Sequence, residues 1–343
     1  MTLDVSVVIP ARDEADAIGG CLAALACQSV GAGALEVIVV AAGGDDTAGA
    51  AARAAAGLEF GRFEIVRLGR GNKNVALQAG CARVSAPIVV LLDADTELAP
   101  EAIAELAAAL GDGAERAVHG AAVPRFDTWV SRYWELNRKL VKDLRFDGTL
   151  SGEVVALRRT TLVAHDAAVL FPPRVGSQDD LVLGRVLAAH GCGIGYVASA
   201  RATTLVPWTL GVLAATMLRS RRGLLAVLPA DEAARQAAFS AAVVGGVPAA
   251  LVTAPWSLAV AALCLVPLAV RAGVAARGIA LLRARGLGDH RRELPAFLLL
   301  DVLGRTLKLW AFVERVLGRE APGTYRGGRP RELGARVASR GMV

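Results

Sequence analysis

The chain has 343 residues, room for two domains, and its 54% hydrophobic content with a mean hydropathy of +0.47 exceeds that of soluble domains, so part of it is expected to touch lipid. Its net charge of +6 is uneven, with acidic residues in the first half and arginines crowded after Arg219. No aromatic-interleaved basic face or zinc-ligand spacing accompanies that charge, which argues against nucleic acid and for an anionic membrane surface.

Residues 5–9 read as a strand closed by Pro10, and residues 15–26 then place Ile18, Leu22 and Leu25 at helical spacing. Asp4 stands where a signal peptide would carry basic residues, so the N-terminal half is expected in the cytoplasm. Residues 35–40 form a second expected strand, and the Gly43-Gly44 turn leads to an alanine-rich helix over 47–56. A strand at 64–68, a helix at 75–84, a strand at 88–92 and a helix at 101–110 follow. This alternation predicts a doubly wound, Rossmann-like parallel α/β sheet. Residues 118–123 read as a further strand, 129–144 as an amphipathic helix and 153–157 as another strand. The five cysteines lack any Cys-x-x-Cys pair and read as small buried hydrophobes in a reducing compartment.

The fourth strand ends in Asp93-Ala94-Asp95. Carboxyl ends of parallel strands are where ligands bind. Two carboxylates there repel each other unless a cation joins them, and oxygen ligands suit Mg2+ or Mn2+ carrying a substrate diphosphate. The plainer alternative is a pair of solvated turn carboxylates. Three polar loops lie at the same edge, Pro10-Ala11-Arg12-Asp13-Glu14, Gly43-Gly44-Asp45-Asp46-Thr47 and Arg70-Gly71-Asn72-Lys73-Asn74. Each precedes a helix whose N-terminus favours an anionic ligand, though each also has ordinary turn composition.

The runs Val5-Ser6-Val7-Val8-Ile9-Pro10-Ala11-Arg12-Asp13-Glu14, Gly71-Asn72-Lys73-Asn74 through Gly80, Leu91-Leu92-Asp93-Ala94-Asp95-Thr96 and Gln178-Asp179-Asp180-Leu181-Val182-Leu183-Gly184-Arg185 resemble, in that order, the blocks of the family 2 glycosyltransferases. The resemblance covers roughly residues 3–223 and implies the GT-A fold of nucleotide-diphospho-sugar transferases. It implies that Asp93 and Asp95 hold the divalent ion, that Pro10, Ala11, Arg12, Glu14, Gly43, Lys73 and Asp93 bind the nucleotide sugar, and that Asp179, beside Asp180, is the catalytic base. Asp179 and Asp180 also suit the start of a helix over 181–189, whose dipole they complement. Gly152, Glu153 and Arg221 match the acceptor side. Two departures stand out. Ala41-Ala42-Gly43-Gly44 replaces the usual Asp-Asp-Gly-Ser, and Leu218-Arg219-Ser220-Arg221-Arg222 keeps only the arginine of Gln-x-x-Arg-Trp. The first weakens an expectation of uridine specificity, and the second favours single sugar addition over processive synthesis. Trp129, Tyr133 and Trp134 are able to stack on a sugar or to form a half-buried face.

The second half reads as a membrane module. Residues 207–228 are apolar, with Arg219, Arg221 and Arg222 near the end, as in a helix lying among headgroups. Residues 237–270 carry no charge, more than the ~20 a single span needs. Arginines flank both ends, so a hairpin turning near 253–256 keeps both flanks inside, with a single tilted span as the alternative. Residues 294–316 repeat Asp301, Arg305, Lys308 and Arg315 along one stripe. That pattern predicts an interfacial amphipathic helix or a span with a hidden polar stripe. The Gly- and Arg-rich residues 318–343 read as a flexible basic tail.

The expected organisation is a GT-A catalytic domain over 1–205, an interface helix over 206–232, membrane-associated helices over 233–317 and the tail. The expected activity is inverting, metal-dependent transfer of one sugar from a nucleotide-diphosphate donor to a lipid-linked or other amphiphilic acceptor. Membrane lipids are the other expected partners. The expected place is the inner (plasma) membrane with the catalytic domain cytoplasmic. The alternative is a degenerate transferase acting as a nucleotide-sugar sensor or membrane scaffold.

Overall fold

The computed structural model describes residues 3–69, 72–111, 116–144, 146, 148–173 and 178–319; Arg70, Gly71 and the tail beyond Arg319 lie outside them. Two compact units divide the chain. One holds the residues up to Val123 together with 148–204, and the other holds 124–147 together with 205–322.

In the first unit β1 (Val5–Arg12), β2 (Leu35–Ala42), β3 (Arg62–Arg67) and β4 (Ile88–Leu92) are parallel, in the order β3-β2-β1-β4. The helices α1 (Ile18–Ala26), α2 (Thr47–Ala55) and α3 (Lys73–Cys81) connect them, and β5 (Glu97–Leu98) and α4 (Ala102–Leu110) follow β4. Past β4 the sheet changes character. β7 (Val154–Arg158) runs antiparallel to β4, and β6 (Arg116–Pro124) antiparallel to β7. With β8 (Gly193–Thr204) the full order is β3-β2-β1-β4-β7-β6-β8-β5. The four strands expected to be parallel are parallel, and the strands at 118–123 and 153–157, for which the sequence implied no direction, make the whole sheet mixed. Parallel neighbours require a crossover that returns the chain to the same end; after Pro124, at the end of β6, the chain instead leaves the sheet.

Strand side chains alternate between faces. Val5, Val7 and Ile9 of β1 pack in one layer with Ile18, Leu22 and Leu25 of α1 and Ile103 and Leu106 of α4. Val8, Ile38 and Val40 pack in the other with Ala76 and Leu77 of α3 and with Leu183 and Leu187 of α8 (Asp179–Ala189). Covering both faces is what makes these strands continuous hydrophobic runs. β1 does not stop at Pro10, because β2 pairs with it through Arg12. β4 pairs only with Val5–Val8, so one side of β1 is already an edge where a missing N–H is tolerated. Of the cysteines, Cys21 and Cys192 are buried as expected, whereas Cys27 is exposed.

The second unit contains α5 (Trp129–Lys142), α9 (Leu210–Val227), α10 (Ala230–Thr253), α11 (Leu258–Ala284) and α12 (Leu294–Val316). Thr128 and Ser131 form a capping box that starts α5. Val130, Tyr133 and Leu136 of α5 share a core with Leu213 of α9, Ile279 and Leu282 of α11, and Phe297 and Leu300 of α12. α10 and α11 pack against each other, extend beyond the 237–270 stretch on both sides, and are long and apolar enough to cross a membrane. Their outer faces leave Leu251 71% and Leu263 69% exposed, the kind of apolar surface that marks an interaction site. α11 runs on past 270, because arginine is a good helix former and Arg271 meets Asp301. The polar stripe of α12 turns inward: Asp301 accepts from Arg271 and Arg305, Lys308 donates to Gln236, and Arg315 donates to the Leu225 and Leu228 carbonyls.

Candidate active site

Four carboxylates and one ammonium meet at the carboxyl edge of β4. Lys73 opens α3, whose N-cap Asn72 accepts from the Val75 N–H. Its Nζ lies 2.6 Å from Asp93 Oδ1 and 3.1 Å from Asp179 Oδ2 and donates to the Gly152 carbonyl at 3.4 Å. The Asp93 N–H donates to the Glu153 carbonyl at 3.0 Å, fastening the end of β4 to the segment before β7. Asp179 and Asp180 begin α8, and the Leu181 N–H donates to Asp180 Oδ1 at 2.8 Å. A Cβ on Gly152 would stand 3.3 Å from both Asp180 Cβ and Lys73 Nζ, so glycine lets the backbone enter the cluster.

The charges are held under tension. Burial pushes the Asp93 carboxyl up to about 7; repulsion from Asp95 and Asp179 adds to it, and Lys73 offsets only part. Burial likewise pushes Asp180 up to about 6, helped by Asp179 and Glu153. Burial alone would lower Lys73, but Asp179 and Asp93 hold it well above its ordinary value. Immediately before Asp179, Gln178 sits at φ 66°, a left-handed conformation that costs a non-glycine residue free energy and clusters at functional sites.

The other expected residues are placed as follows. Pro10 and Arg12 are half-buried and Ala11 buried at the end of β1. The loop after it is tied to the loop after β2. Gly44 N–H donates to Asp13, Ala15 N–H to Asp45 and Glu14 N–H to Thr47. Gly43 has φ 105°, and a Cβ there would collide with Asp13; it is needed for the close approach of the two loops. Asp45 and Asp46 thus serve the fold, Asp46 as the N-cap of α2. Asp95 points toward the end of β8, where Thr204 Oγ1 donates to it at 3.4 Å. Tyr133 is buried against Phe297, and Trp134 lies under Arg138. Arg221 belongs to the second unit.

Sequence reasoning missed an amide row on α3. Asn72, Asn74 and Gln78 donate to the carbonyls of Pro173, Pro172 and Phe171, holding the chain that leads toward α8. The i,i+4 spacing of Asn74 and Gln78 was the available signal.

Among the described residues no three carboxylate, histidine or cysteine side chains form a ready-made cation cage. Magnesium-type ions usually take one or two carboxylates and complete their shell with substrate phosphates and water. The donor set fits that pattern: Asp93 and Asp95 are hard oxygen ligands at one strand end, and Asp93 is a crowded carboxylate that gains from a cation.

A parallel half-sheet bearing this cluster at its carboxyl edge, continued by antiparallel strands, defines the GT-A class of nucleotide-sugar folds. Across 93% of this chain and 89% of the other, with a TM-score of 0.59 and 22% identity, the fold is similar to a mannosyltransferase from Pyrobaculum calidifontis solved with GDP-Man and Mn2+. Residues 6–167 match the Glycosyl transferase family 2 model. N-acetylglucosaminyltransferases from Rhizobium leguminosarum and Mesorhizobium japonicum are 28% and 29% identical over 64% of the chain. The chain spans only 55% of the length of each.

Proposed function

We propose that the protein is an inverting glycosyltransferase that moves one sugar from a nucleotide-diphosphate donor to an amphiphilic acceptor. The observation that carries this reading is the convergence of Lys73, Asp93, Asp179 and Asp180 at one sheet edge. Asp93 and Asp95 would hold Mg2+ or Mn2+, which supplies charge neutralisation for the leaving diphosphate. Lys73 adds fixed positive charge beside it, and Pro10, Ala11, Arg12, Glu14 and Gly43 line the nucleotide side.

The geometry favours a division of labour between the two adjacent aspartates. Asp179 is engaged by Lys73 and positions it. Asp180 has no ammonium within ion-pair distance among the described residues, and its poise near 6 suits proton transfer at neutral pH. It is the better base, which shifts the role expected for Asp179 by one residue. As the acceptor oxygen bonds to the anomeric carbon and the bond to the diphosphate breaks, the acceptor proton passes to Asp180. Gly152 and Glu153 border that side.

The apolar faces of α10 and α11 support attachment to a membrane, with the N-terminal unit on its cytoplasmic face. The test is nucleotide release by the purified chain across a panel of sugar nucleotides, beginning with UDP-GlcNAc and GDP-mannose, with and without Mn2+. Release from one donor that requires both Mn2+ and a lipid extract supports the reading. Tight donor binding with no release would make the protein a sensor instead.

A further inference from the structure

A half-buried group of side chains on α9, α10, α11 and α12 holds more cations than anions. Asp301 is claimed twice, by both guanidinium nitrogens of Arg271 at 3.0 Å and by Arg305 at 2.9 Å. Lys308 Nζ donates to the Gln236 side chain at 3.0 Å, and the Arg305 guanidinium rests on the Phe239 ring. Arg221, on α9, faces the same group of residues. Its Nε is buried without a hydrogen-bond partner, and no carboxylate pairs with it among the described residues. Four cations therefore surround one carboxylate. Of the acids nearby, Glu314 is taken by Arg222 and Glu232 accepts from the Gln236 amide.

Buried charges in folded proteins are paired or bind something, and ionisable residues among apolar helices mark functional sites. Burial and the neighbouring Arg221 and Arg305 push Lys308 down to about 8, and burial holds Arg221 below its ordinary value. A bound anion would relieve both. A guanidinium fork matches phosphate oxygens bidentately, with an ammonium as a second point of charge. Confinement among helices excludes a macromolecule, and the apolar faces of α10 and α11 suit an attached hydrocarbon chain.

We propose that Arg221, Arg305 and Lys308 form a binding site for the phosphate group of an anionic amphiphile. This rests on the transferase reading only for its role, which is to hold the acceptor; the site itself stands on the charge arrangement.

Titration calorimetry on the full chain in non-ionic detergent tests it, with dodecyl phosphate and inorganic phosphate as separate probes. Dodecyl phosphate is expected to bind. Arg221→Gln and Lys308→Gln should each weaken it by roughly 30-fold, the lower end of what removing one partner from a buried charge pair costs. Arg222→Gln, outside the cluster, should bind like the parent. Thermal unfolding of each variant confirms that it is folded, and Arg221→Gln removes an unpaired charge and should be no less stable. Equal binding of inorganic phosphate, lost in the same variants, would keep the phosphate site but overturn its lipid source. Failure of both probes, or variants that bind as the parent does, overturns the proposal. Nucleotide release separates the two readings. Dodecyl phosphate binding without turnover of any sugar nucleotide defeats the transferase reading alone, and turnover without dodecyl phosphate binding defeats this one alone.

Discussion

Replacing Asp180 by asparagine should cripple turnover and stabilise the protein at once. The carboxyl is pushed up to about 6 in the folded chain, well above the ordinary aspartate value, so ionising it opposes folding. Because the folded value is the higher, the folded state binds more protons between the two, and stability falls as pH rises from about 4 to about 6 and stays lower above that. At full strength the difference is worth about 3 kcal/mol. Asp180 is half-exposed, so solvent screens part of this and a gain on the order of 1–2 kcal/mol is expected. Asparagine keeps an acceptor for the Leu181 N–H and carries no charge. Thermal unfolding at pH 8 should therefore rise by about 3–6 °C over the parent, with no gain at pH 4. Turnover at pH 8 should fall roughly 100- to 10,000-fold with donor affinity retained. The parent's rate should climb with pH through about 6, where the base loses its proton. A variant within ten-fold of parental rate, or one whose extra stability is the same at pH 4 and pH 8, would refute the assignment.

Asp95→Asn should lower nucleotide release by several kcal/mol of lost charge neutralisation while leaving the unfolding transition in place; full activity of that variant in chelator would sink the metal reading. Lys73→Met leaves Asp93 and Asp179 without their shared ammonium, and donor binding in the presence of Mn2+ should weaken by about 2 kcal/mol or more; unchanged affinity would show that Lys73 only braces the fold. The full chain should stay with membranes after washing in high salt, since α10 and α11 offer burial rather than charge pairing as the attachment; release into the supernatant would argue against insertion.

The parts of the fold legible in the sequence are those whose period is unmixed. Ile88–Leu92 is buried on both faces and reads as a strand without ambiguity, and Leu294–Val316 keeps one helical stripe from end to end. β8 was illegible because the first half of Gly193–Thr204 shows no alternation in burial, and the in-out pattern begins only near Ser199. Its place beside β5 and β6 comes from long-range pairing. Glu36 shows the same limit, since a carboxylate inside an apolar run is fully buried only because Ser6, Ser85 and Arg62 converge on it from distant positions. At the candidate site, the motifs at Asp93, Lys73 and Asp179–Asp180 were readable as blocks. That Lys73 binds Asp179 rather than Asp180 was not, because one residue of offset at a helix start turns a side chain by about 100° and no spacing rule resolves it.

The excursion of residues 124–147 out of the sheet has a consequence for synthesis. The Val130, Tyr133 and Leu136 face of α5 leaves the ribosome long before α11 and α12 exist to cover it. At ordinary elongation rates the intervening 143–316 take roughly 10–35 s to make. For that interval the nascent chain presents a greasy, amphipathic segment next to a nearly finished sheet. It needs a temporary shelter until those helices are made, and a chaperone is one such shelter. The same interleaving means that no single cut yields both units whole: a fragment ending before α10 retains α5 and α9 but lacks their partners on α11 and α12, and such a fragment should aggregate unless the exposed face is made polar.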